Sequence, residues 1–187
     1  FVITLNREDL NITEPFVLES LSEGAILNST GTEGTNGILT NGTSDNFRYE
    51  ISNRNVDQGV FTLVIRRGDD TTNSKAILET FSNLSLDPKQ SNYIERVVGN
   101  QVQNLVGSGT DVYVRTTGSY ANASRFVRVK SVALPTPDYF DNNGTPKNQF
   151  TASLPVNASG TFAGGTGEVY SGANTLYEKI GTTTQGL

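Results

Sequence analysis

Cysteine and histidine are both absent from this chain. Without cysteine no disulfide can staple the fold, and thiolate chemistry is closed to it. Without histidine as well, no Ser-His or Cys-His nucleophile pair can be assembled within the chain, and no His-liganded zinc site can form. Methionine and tryptophan are also missing. The missing methionine includes position 1, so the chain is expected to be an excised segment or a mature piece of something longer. No apolar run approaches the about 18 residues that a membrane-spanning helix needs. No charged start followed by an apolar stretch marks a secretory signal. Net charge is −5, from 14 basic and 19 acidic residues. The chain therefore has no overall basic character with which to neutralise phosphates, and neither nucleic acid nor a membrane span is expected as a partner.

What is present points to strands and turns. A length of 187 residues allows one large domain or two small ones. Hydrophobic residues make up 35%, so a core can form but is not generous. β-formers with Gly, Asn, Ser and Thr outweigh blocks of Ala, Leu, Glu and Lys. The expected fold class is mainly β (α+β): an antiparallel barrel-like or sandwich sheet with one short packed helix.

The stretch from Phe47 to Gly99 is the most informative. Phe47, Tyr49 and Ile51 alternate with Arg48, Glu50 and Ser52, the period of a half-buried strand. Arg54 to Gly59 supplies turn residues. Val60 to Arg67 reads as a second strand, with Phe61, Leu63 and Ile65 on one face and Val60, Thr62 and Val64 on the other, so both sides are expected to be covered over part of its length. Lys75 to Phe81 reads as a third strand. Asp87-Pro88 breaks it. Asn92 and Glu95 have the spacing of a capping box, which opens a helix over 92–99. Tyr93, Ile94, Val97 and Val98 fall on its apolar face, and Gly99 suits a left-handed stop.

Residues 1–46 are expected to hold a strand at Phe1–Leu5 and an Asn/Ser/Thr/Gly loop over 28–46, with at most a short strand at Gly37–Thr40. Phe16–Leu21 is a short apolar run that is either helix or strand. Residues 47–156 form the β-rich core domain. Within it, Asn100–Gly109 reads as a connector, with Val102, Leu105 and Val106 touching the core. Asp111–Thr117 and Arg125–Leu134 read as a hairpin, with Val127 and Val129 on one face. Gln149–Leu154 reads as a last strand. Residues 157–187 read as a Gly/Ser/Thr-rich linker toward an absent domain, anchored by Tyr170 and by Leu176, Tyr177 and Ile180.

Three segments carry a resemblance: Val64-Ile65-Arg66-Arg67-Gly68-Asp69-Asp70, Leu84-Ser85-Leu86-Asp87-Pro88, and Ser91-Asn92-Tyr93-Ile94-Glu95-Arg96-Val97-Val98-Gly99. In this order they resemble the outer part of phage contractile tail sheath proteins. The likeness covers Asp45 to Gly99 and continues more loosely to about Pro155. It implies an inserted outer portion of a subunit that polymerises around a tail tube and drives contraction during genome delivery. The implied partners are other copies of the subunit in a helical sheath. The tail tube protein and baseplate would be contacted through parts outside this segment. The implied location is the virion tail, assembled in the host cytoplasm. The rival reading is a surface β-module that binds carbohydrate or a host receptor.

No catalytic, cofactor-binding or metal-binding residue is assigned. Asp69-Asp70 with Asn73 offers oxygen ligands for Ca²⁺, but the EF-hand spacing and its distal Glu are missing, so a polar turn is preferred. Asp141-Asn142-Asn143-Gly144 is likewise read as an Asx turn. Ala163–Gly167 is Gly-rich but lacks the preceding strand and following Lys-Ser/Thr of a phosphate loop. No pair among the acids is flagged for glycosidase work, and a non-enzyme is expected. Arg66-Arg67, and Arg125 with Arg128 and Lys130, are the main basic clusters. They read as a solvated strand face or as partner contacts, ahead of a nucleic-acid patch. Seven Asn-x-Ser/Thr sequons, among them Asn11, Asn41 and Asn122, match the number chance gives in such a composition and are not read as glycosylated.

Overall fold

A computed structural model describes residues 15–21, 47–68, 70–71, 73–161, 164–166 and 176–180. The strand expected at Phe1–Leu5, the loop over 28–46, the strand at Gly37–Thr40 and the Tyr170 anchor lie outside them. The strands are β1 (Phe16–Ser20), β2 (Phe47–Asn55), β3 (Val60–Arg67), β4 (Ile77–Ser85), β5 (Val102–Val106), β6 (Tyr113–Thr117), β7 (Val127–Val132), β8 (Ala158–Thr161), β9 (Gly164–Thr166) and β10 (Leu176–Ile180). Two short helices join them among the described residues, α1 (Ile94–Val98) and α2 (Asn148–Thr151). The fold is mainly β with antiparallel pairing throughout the named strands. One sheet has the order β7-β1-β10-β9, a second β4-β3-β2-β8, and β5-β6 stands apart as a two-stranded ribbon. Of the two expected forms, the sandwich fits, and no barrel closes among the described residues.

Alternation places Phe47, Tyr49 and Ile51 of β2 inward beside Phe61, Leu63 and Ile65 of β3, all buried. Phe16, Leu18, Val127 and Val129 of the first sheet join the same core. The Phe16 and Phe61 rings stack across it with centroids 5.6 Å apart. The outward face of β3 is covered as well, since Thr62, Val64 and Arg66 are all buried. β4 begins at Ile77, later than expected, and continues to Ser85. Its predicted first residues are held in the preceding turn, where the Ala76 N–H donates to Asp70 Oδ2 at 3.0 Å.

The helix forms where expected, with Ile94 and Val98 buried, but not through the predicted capping box. Tyr93 is the N-cap and no side chain caps the helix. Asn92 is engaged elsewhere: its Nδ2 donates to Asn83 O at 2.6 Å, while the Ser85 N–H donates to Asn92 O at 2.9 Å, so the loop is sewn to β4. Gly99 ends the helix at φ 107°, ψ 153°, not in the left-handed helical well but in a region that only glycine occupies readily. A Cβ there would lie 2.3 Å from Asn122 Cα.

Four further expectations are corrected. The connector at Asn100–Gly109 contains a strand, β5, paired with β6. The β6–β7 hairpin does not form; β7 pairs with β1. The apolar face of Val127 and Val129 needs a core to enter, and β1 with Phe16 and Leu18 supplies one. β6 cannot, because its Tyr113 and Val114 are both exposed. Gln149–Leu154 is not a strand: Asn148–Thr151 is helical, and Phe150 and Leu154, four residues apart, are buried together. Among the described residues there are thus two short helices where one was expected. In the stretch read as a linker, β8 pairs with β2 and β10 pairs with β1, Phe16 facing Ile180. Leu176, Tyr177 and Ile180 lie within β10.

Candidate functional site

Three connections meet at one end of the sandwich: the β2–β3 turn, the loop from β4 to α1, and the segment between β7 and α2. They are tied to one another. The Tyr139 hydroxyl donates to Val56 O at 2.6 Å, binding the third connection to the first. Its ring lies over Gly59, where φ is +67° and a Cβ would come within 2.7 Å of Tyr139 Cδ1, so both backbone and space call for glycine. Asp87, buried at 2% exposure, joins the second connection to the third. Its Oδ1 accepts the Lys89 N–H at 3.0 Å and its Oδ2 accepts the Asp138 N–H at 3.1 Å. The Thr136 N–H donates to Leu86 O at 3.0 Å, and Lys89 Nζ meets Asp138 Oδ2 at 2.7 Å on the outside. That exposed pair raises the Lys89 ammonium and lowers the Asp138 carboxyl, the hydrogen bond between them being the main cause of both shifts.

Between these loops lies a cleft of about 100 Å³. Val60 and Ser85, cross-strand partners in β3 and β4, form its floor. Gln58, Asp87, Gln90 and Asn92 form its walls, and Tyr139 and Phe140 its aromatic side. Phe140 is 40% exposed and meets the Tyr139 ring edge-on at 5.2 Å. Burial pushes the Tyr139 hydroxyl up, partly offset by the Arg54 charge. The Tyr139 O–H is therefore a donor across the ordinary pH range and not an anion.

The basic clusters read from sequence resolve differently. Arg66 is buried, its guanidinium gripped by Asp70 through Nε–Oδ2 at 2.6 Å and Nη2–Oδ1 at 2.8 Å, with Glu50 Oε2 2.7 Å from Nη1. Lys75 Nζ reaches Glu50 Oε1 at 2.6 Å, and Arg48, the cross-strand partner of Arg66, has Nη1 4.0 Å from Asp70 Oδ1. Asp70 is thus the counter-ion that lets two arginines sit side by side. Arg128 is also buried and pairs with its cross-strand partner Glu19, which Lys130 approaches at 3.7 Å. Arg66 and Arg128 are therefore neither a solvated face nor a partner contact. They clamp strands within the chain, a role their sequence setting did not reveal because nothing there marks which carboxylates would meet these arginines.

The candidate calcium loops take their places as turns. Asp69 lies outside the described residues, and the Asp70 carboxylate is taken by Arg66 and the Ala76 N–H. Asp141 Oδ1 accepts the Asn143 and Thr145 N–H groups, both at 2.8 Å, which is the expected Asx turn. Among the described residues no group of three or more potential ligands is placed to hold a metal ion. Two sequon asparagines are structural: Asn122 brackets Gln101 through both of its amide atoms, and Asn157 Oδ1 accepts the Arg54 N–H. No helix among the described residues is long and apolar enough to cross a membrane. The cleft residues went unseen in the sequence, for they come from three loops far apart along the chain. Comparison with protein-family models, with curated proteins and with solved structures gives no match for this chain.

Proposed function

We infer that this chain is a structural part of a contractile tail sheath subunit, polymerising in the virion around a tail tube. The observation that carries the reading is the run of residues from Val60 to Gly99. The segments that resemble sheath proteins fold as β3, β4 and α1, a strand pair braced by a short helix. The role is mechanical. A filled core and strands clamped by the Arg66–Glu50 and Arg128–Glu19 pairs suit a part that moves as a rigid body. The β5–β6 ribbon, with Val112, Tyr113 and Val114 exposed, is the surface offered to neighbouring copies. Electron microscopy of the full-length product tests this. Tubes or polysheaths of uniform width are expected, and removal of residues 1–187 is expected to leave them thinner-walled but assembled. Loss of all polymerisation on that deletion would mean that the lattice contacts lie in this segment. A full-length product that forms no tubes would sink the reading.

A further inference from the structure

The loop-end cleft has the composition of a recognition site for a neutral, hydroxyl-rich ligand. Its walls are planar polar groups: the amides of Gln58, Gln90 and Asn92 and the carboxylate of Asp87. An amide presents both donors and an acceptor, and a carboxylate presents about four lone-pair sites. Asp87 spends two acceptor sites on backbone N–H groups and has others remaining. Asn92 spends a donor on Asn83 and keeps its Oδ1. The side-chain amides of Gln58 and Gln90 are exposed and make no hydrogen bond among the described residues. Vicinal hydroxyls, each a donor and an acceptor, are the groups that complement such a set. The exposed Phe140 ring beside them offers an apolar plane for the C–H face of a pyranose.

Three properties narrow the class. No cation lines the cleft while one carboxylate does, so an anionic ligand is disfavoured. The volume of about 100 Å³ falls below the roughly 300–1,000 Å³ of drug-sized pockets, which suits one ring with the rest of a glycan in solvent. The wall loops are cross-tied by Tyr139–Val56, Asp87–Asp138 and Thr136–Leu86, so little ordering is left for the ligand to impose. We propose that this cleft binds a single neutral pyranose unit of a saccharide, held by Gln58, Asp87, Gln90 and Asn92 and stacked against Phe140. The proposal is independent of the sheath reading, because a glycan site on the outer surface needs no particular assembly behind it.

The test is an NMR titration of isotope-labelled chain with glucose, galactose, mannose, N-acetylglucosamine, glucuronate and ethanolamine, following the side-chain amide signals of Gln58, Gln90 and Asn92. At least one neutral sugar is expected to shift these signals saturably, with Kd on the order of 1 mM. Phe140→Ala and Gln90→Ala are each expected to weaken that sugar about fivefold or more, with the remaining spectrum unchanged to show an intact fold. Val114→Ala on the ribbon is expected to bind as the original chain does. The proposal is overturned if no neutral sugar moves these amides, or if both cleft variants bind normally. It is also overturned if glucuronate binds as tightly as the best neutral sugar, or if ethanolamine alone binds.

Discussion

Replacing Asp70 by Asn isolates the contribution of one buried carboxylate. The substitution keeps the shape and leaves an oxygen for the Ala76 N–H, but removes the charge that faces Arg66 and Arg48. Arg66 and Lys75 then share a single carboxylate, Glu50, and Arg48 loses the carboxylate it approaches at 4.0 Å. Removing one partner of a buried pair costs about 3–5 kcal/mol, much of it the penalty of the charge left behind. Glu50 still holds Arg66 Nη1 at 2.7 Å, which places the expected loss at the lower end, about 3 kcal/mol. For a chain of this size that is a fall in Tm of about 6–12 °C. In urea the midpoint should drop by about 1–2 M with the slope m unchanged. The pH dependence gives a second reading. Burial pushes the Asp70 carboxyl up, but hydrogen bonds from Arg66 and the Ala76 N–H, with the charges of Arg66 and Arg48, outweigh it and hold the group below the usual carboxylate range. A lowered folded value means stabilisation that is complete above the ordinary aspartate value of about 4 and is lost as pH falls through the folded value. The original chain should therefore lose stability more steeply on acidification than Asp70→Asn does. A loss under about 0.5 kcal/mol at neutral pH, or parallel acid limbs for the two proteins, would refute the counter-ion role.

Gly99→Ala should lower stability by about 3 kcal/mol in the same urea assay, since the backbone strain is joined by a clash with Asn122. Gly109→Ala, at φ +62° in open space, should cost only about 1 kcal/mol. Burial, then the charge of Glu95 and the neighbouring Tyr120, raises the Tyr93 hydroxyl above its ordinary value. Its preference for the neutral form makes the fold lose stability as pH climbs past about 10, and Tyr93→Phe should flatten that alkaline limb in thermal melts. Glu19→Leu alone should destabilise by about 3–5 kcal/mol by stranding Arg128, whereas Glu19→Leu with Arg128→Met should recover most of that loss in chemical denaturation.

The sequence was most readable where one face of a strand alone meets the core. Phe47, Tyr49 and Ile51 declare β2 because the pleat turns burial into alternation. The helix near 92–99 showed in its apolar face, although Asn92 was diverted to β4 by a contact that local spacing does not encode. Pairing was the harder matter. β6 and β7 are neighbours along the chain with hairpin-like patterns, yet β7 is claimed by β1, more than a hundred positions earlier. β8 reads Ala-Ser-Gly-Thr and carries no strand signal of its own; its partner β2 imposes extension on it. Arg66 and Arg128 look like surface charge until the carboxylates they meet are known, Asp70 and Glu50 for the first and the cross-strand Glu19 for the second. The cleft was invisible for a related reason: Gln58, Gln90 and Phe140 belong to separate loops, and only the sandwich brings them together.

The pairing of β1 with β10 sets a schedule for folding on the ribosome. Phe16 is made early, but its neighbour on one side is Ile180 and on the other Val132. At about 5–20 residues per second, β1 waits roughly ten to thirty seconds for its last partner to be translated. During that interval Phe16 and Leu18 have no completed sheet to enter, and the nascent chain carries an open edge that a chaperone would have to shield.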